Sequence, residues 1–205
     1  MFTLICQHLY GEQIGEYAVS QSIKEWNQNA FLWGVQGYEF LTFHRFLFWQ
    51  SGIMLKSYTE RFDSLELSTI LKAIDDYRQK KDTPVLRCYR FGLECRAVLK
   101  AETEPFIQYG LHMLKQAYPK EQELSLRNKI ETSLDIILLR YLKGQLPIEF
   151  DMKQIFPKDE AVQLEVASLY CYLLNILFDE KQELSVLLQA TEDARKTCGM
   201  LNDRS

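Results

Sequence analysis

The sequence predicts an all-α fold, a single-domain bundle or a stack of antiparallel helical hairpins with about eight to nine helices, and three observations carry that expectation. Leucine outnumbers valine by 30 to 7, and unbranched side chains lose little rotamer freedom against the preceding helical turn. Nine glycines and five prolines in 205 residues are too few for a loop-rich sandwich or a disordered chain. Apolar residues recur at spacings of three and four along most of the chain, the signature of one buried helical face.

Taken in order, the periodic runs and their punctuation predict helices over 2–10, 12–28 and 30–58, the last with a possible break at Gly34–Gly37. Further helices follow over 64–81, 84–100, 104–118, 120–143, 159–178 and 181–197. Asp63, Ser64, Leu65 and Glu66 have capping-box spacing at the start of 64–81. Thr83 before Pro84 supplies a capping hydroxyl and a proline at the first helical position, and Thr103-Glu104-Pro105 nearly repeats the pattern. Gly144 and Gly199 stand where a left-handed C-terminal residue is wanted, and Pro119 and Pro147 stop what precedes them. Segment 144–158 reads as one irregular connection. No stretch is rich enough in Pro, Gly or Ser to be a linker, so 1–205 reads as one domain.

Projection at 100° per residue assigns roles. Helix 64–81 shows a narrow apolar stripe of Leu67, Ile70, Leu71, Ile74 and Tyr77, as a surface helix does. Helix 159–178 is apolar on most sides and is expected to be the central one. Its one polar stripe, Glu165, Ser168, Tyr172 and Asn175, either bonds to a neighbouring helix or borders a ligand cavity. In the aromatic-rich stretch 31–55, His44 falls among phenylalanines and reads as a hydrogen-bonded core residue. The opposite face of the same projected helix carries Tyr38, Arg45, Trp49 and Lys56. Trp49 beside Arg45 is the expected anchor of an interaction face.

Composition excludes several function classes. Net charge is −4, and 24 basic and 28 acidic residues are interspersed, so a nucleic-acid footprint is not expected. Residues 14–26 have a superficial helix-turn-helix look but offer only Lys24 as a cation in the recognition position. A membrane span over 31–55 would bury Glu39, His44 and Arg45. Five cysteines, odd in number and without a CxxC pair, suit a reducing compartment, and the first ten residues lack a secretory pattern, so the protein is expected in the cytoplasm. Cys88 and Cys95 share an apolar face and read as inert thiols. Arg87, Arg90 and Glu94 read as a solvated mixed-charge stripe. No HExxH, nucleotide-loop or nucleophile-elbow motif occurs, and the tetratricopeptide pattern fits 84–119 in no register. No catalytic residue, metal or cofactor is therefore expected. The expected function is non-enzymatic binding of another protein, as an adaptor, dedicated chaperone or toxin-neutralising partner. The alternative is a helical ligand-binding or sensor domain, or a bundle-interior enzyme, using the polar stripe of 159–178.

Overall fold

A computed structural model describes residues 4–20, 25–45 and 55–202. Among them the chain forms eight α-helices and no strand: α1 Leu4–Ser20, α2 Gln28–Gln36, α3 Lys56–Asp63, α4 Leu67–Arg78, α5 Pro84–Ala117, α6 Glu123–Lys143, α7 Glu160–Phe178 and α8 Leu184–Asn202. Three short 3₁₀-helices occur at Gly37–Phe43, Pro147–Glu149 and Met152–Gln154. The all-α class and the number of helices stand as the sequence predicts. So do the Thr83 cap, whose hydroxyl accepts from Leu86 N at 3.2 Å, and the left-handed Gly144 that ends α6.

Where the boundaries differ, tertiary contact is the reason. The expected break near residue 11 is absent, because α1 runs on through Gly11, where a Cβ would sit 3.1 Å from Leu32 Cδ2 of α2. The helix expected over 30–58 breaks inside the Gly34–Gly37 window that the sequence offers. It leaves α geometry at Gly37, whose φ of 60° favours glycine, continues as the 3₁₀-helix to Phe43, and reaches a left-handed Arg45 at φ 52°. Asp63 does not cap α4. It is the last residue of α3 and accepts the Tyr38 hydroxyl at 2.7 Å, while α4 starts after Glu66, whose side chain makes no cap bond.

The two helices expected over 84–100 and 104–118 are a single 34-residue helix with Pro105 inside it. A proline there removes the hydrogen bond to the residue 101 carbonyl and costs about 3 kcal/mol. Burial of Ile107 and Leu111 beyond it, against Leu126 of α6, keeps the helix going. Helix α8 likewise passes Gly199, where a Cβ would meet the Lys153 side chain at 3.0 Å.

The main core gathers α2, α5, α7 and α8 around a ring of aromatics. Trp33 packs on Phe156 with centroids 4.9 Å apart and donates its indole N–H to Pro157 O at 3.0 Å. Phe40 meets Tyr170 edge-on at 4.9 Å, and the Tyr170 and Tyr89 hydroxyls are 2.7 Å apart. At the centre α2 crosses α5 at backbone contact. A Cβ on Gly34 would lie 2.1 Å from Tyr89 O, and one on Gly92 would lie 2.3 Å from Phe31 O. A central helix over 159–178 would also be the least exposed, and that expectation is corrected here: α2 buries seven of its nine residues, whereas α7 exposes Leu164 and Ile176. Helix α7 also has the length and mean hydropathy, 1.5, of a helix able to cross a membrane, a property that core helices share.

Candidate functional site

The face expected from Tyr38, Arg45, Trp49 and Lys56 rests on one continuous helix, which the chain does not form. Tyr38 is a core residue, 5% exposed, with its ring stacked on Phe62 at 5.1 Å. Arg45 donates its backbone N–H to Asp193 at 3.1 Å, and Lys56 is exposed at the start of α3. Trp49 lies outside the described residues. His44 is buried as expected, with Nδ1 2.9 Å from Asp193 Oδ2. Burial pushes its imidazole below the ordinary 6.5, and Asp193 opposes the shift.

The polar stripe of α7 faces α4 and the segment that joins α4 to α5. Glu165 accepts the Thr83 hydroxyl at 2.5 Å and stands 3.6 Å from Lys81 Nζ. Tyr172 packs on Tyr77 at 5.1 Å, with the Lys80 ammonium over its ring at 5.6 Å. Ser168 bonds back to Leu164 O at 2.7 Å, and the Asn175 carbonyl accepts the Asp179 N–H that ends the helix. None of these four lines any of the clefts described below. Arg87 and Arg90 likewise spend their charge locally, on Asp82 and Glu25 for one and on Asp75 and Glu94 for the other. Burial pushes the Cys88 thiol up and the Cys95 thiol up to about 11, so neither is a ready nucleophile. Among the described residues no group of three or more His, Cys, Asp and Glu side chains is arranged to hold a metal ion.

Two features were not foreseen. The first is a cleft of about 560 Å³ between α3, α4, α5 and α6. Phe62, Leu65, Leu67, Ile70 and Leu93 form its apolar floor, and Ala97 and Ala101 leave room on the α5 side. Its polar edge is a set of matched charges. Arg96, buried at 8% exposure, reaches Glu39 Oε1 at 2.5 Å and lies 4.4 Å above the Tyr38 ring. Burial pushes the Tyr38 hydroxyl up to about 12, against the pull of Arg96. Lys100 Nζ stands 3.5 Å from Asp63 Oδ1. Arg127 grips both oxygens of Glu104 at 2.8 and 2.6 Å and reaches Glu131 at 2.8 Å. That grip holds the Glu104 carboxyl down at about 2.

The second feature is an exposed apolar stripe on α5. Val98, Phe106, Tyr109 and Met113 fall within an arc of about 80° on a helix of 3.6 residues per turn, and they are 48 to 66% exposed. Phe106 also edges a second cleft, of about 370 Å³, between α1, α5 and α6, walled by Leu9, Leu99, Leu134 and Leu138. The stripe runs across Pro105. Dividing the chain there, as the sequence suggests, hides the alignment of Val98 with Phe106; one projection over the whole of 84–117 shows it.

The described residues form an all-α fold with a polar-edged cleft between α4 and α5 and an exposed apolar face on α5. Comparison with protein-family models, with curated proteins and with solved structures gives no match for this chain.

Proposed function

We propose that the protein is a non-enzymatic interaction module that docks another protein on the α5 stripe. The observation that carries this reading is the exposure of Val98, Phe106, Tyr109 and Met113 in one row about 22 Å long. Single exposed apolar residues need no explanation, but Phe106, Tyr109 and Met113 at successive turns of one face, with Val98 two turns before them across Glu102, bring together two aromatic rings as interface hot spots do. The cleft beside Phe106 offers a partner side chain a pocket walled by leucines. Glu102, at the rim of that cleft and within the stripe's arc, favours a partner with a basic residue next to its apolar face. Five free thiols and the absence of any motif for catalysis fit a binding role in a reducing compartment such as the cytoplasm.

The test is affinity capture with the full chain, followed by titration of the identified partner against the parent and against Phe106→Glu/Tyr109→Glu. The expected result is at least about 30-fold weaker binding with a thermal midpoint within a few degrees of the parent. Binding unchanged within threefold would remove the stripe from the interface.

A further inference from the structure

We infer that the cleft between α4 and α5 is a binding site for an uncharged small molecule with an apolar body and a carboxamide-like head. Its volume, about 560 Å³, lies in the range of small-molecule pockets, and its lining of apolar side chains with a few convergent polar groups is the usual composition of such sites. The charge pattern selects the ligand. Each cation that lines the cleft meets a carboxylate: Arg96 with Glu39, Arg127 with Glu104, Lys100 with Asp63. A charged head could pair with one member of such a pair only by displacing the other and meeting it as a like charge, whereas a neutral head with a donor and an acceptor satisfies both.

The three pairs differ in strength. Arg96 and Arg127 are held at hydrogen-bond distance, whereas the Lys100–Asp63 contact is 3.5 Å long and the Lys100 side chain is 55% exposed. Only that pair can open at little cost. A head with one acceptor and one donor fits between its members, the acceptor receiving a hydrogen bond from the Lys100 ammonium and the donor giving one to the Asp63 carboxylate. Asp63 already accepts from Tyr38 through Oδ1, which leaves Oδ2 for the ligand. The apolar body then lies over Leu67, Ile70 and Leu93. This site is separate from the exposed α5 stripe and stands or falls independently of it.

Binding of octanamide, octanoate and octylammonium to the full chain, followed by ligand-observed NMR at one pH and ionic strength, tests the inference. Octanamide is expected to bind about tenfold more tightly than either charged analogue. Ala97→Phe, which fills the cleft, is expected to abolish its binding while the circular-dichroism spectrum stays unchanged. Lys100→Met, an exposed change that keeps the aliphatic stem, is expected to weaken octanamide and to leave the fold intact. It serves as the control should the larger ring disturb packing. Equal or tighter binding of a charged analogue, no detectable octanamide binding, or affinity unaltered in both variants would overturn the inference.

Discussion

Arg96 and Glu39 show what one buried ion pair does to its surroundings. Each charge is removed from water, so each depends on the other, and losing one partner leaves the second stranded. Arg96→Met is therefore expected to cost about 3–5 kcal/mol in urea unfolding, and Glu39→Met/Arg96→Met to recover most of it. A double variant no more stable than the single one would show that the guanidinium matters through its contact with the Tyr38 ring instead. His44 carries a prediction of opposite character. Burial lowers its folded pKa beneath the ordinary 6.5, so as pH falls through that region the unfolded chain takes up the proton first and the folded state loses stability. Unfolding midpoints at pH 7.5 and 5.5 are expected to differ in the parent and to converge in His44→Gln. An unchanged difference in the variant would assign the pH dependence to other groups.

At the scale of elements, α2 and α5 cross at backbone contact. Gly34 and Gly92 let Phe31 O and Tyr89 O approach where any Cβ would collide with backbone, and backbone cannot move aside as a flexible side chain does. Gly92→Ala is expected to cost about 3 kcal/mol by forcing the helices apart, against about 1 kcal/mol for Gly144→Ala, where nothing lies within 4 Å and only the left-handed φ is strained. Comparable losses at the two sites would mean that the crossing relaxes freely. Pro105 sits exposed within α5, and Pro105→Ala restores the missing backbone bond. An increase of about 1–3 kcal/mol is expected, read as a higher denaturation midpoint. The same residue shows how a local rule can mislead: proline forbids one hydrogen bond, and the burial of Ile107 and Leu111 outweighs that bond.

For the whole molecule, the packing divides unevenly. The main core takes in α2, the first half of α5, α7 and α8, whereas the far end of α5 and the start of α6 are held by a smaller cluster of Cys6, Ile107, Leu111 and Leu126. Fewer buried contacts mean a lower free energy of local opening. Hydrogen exchange is expected to be faster over 107–117 and 123–130 than over 28–36 and 86–96, and uniform protection would refute the division.

The sequence by itself determined the helical class, the helix start at Thr83-Pro84, the stop at Gly144 and the buried role of His44, because each depends on local periodicity, capping chemistry or the polarity of immediate neighbours. The glycines also marked where the aromatic stretch breaks, and only the tertiary structure decided that Pro105 does not break α5 and that Tyr38 turns inward to Asp63 and Arg96. It also decided that the polar stripe of α7 spends its groups on Thr83, Lys81 and Tyr77. These outcomes depend on residues from 15 to more than 80 positions away, and no helical projection contains them. Both candidate sites belong to this second kind: the cleft exists because four helices converge, and the α5 stripe is continuous because distant burial holds one helix together across a proline.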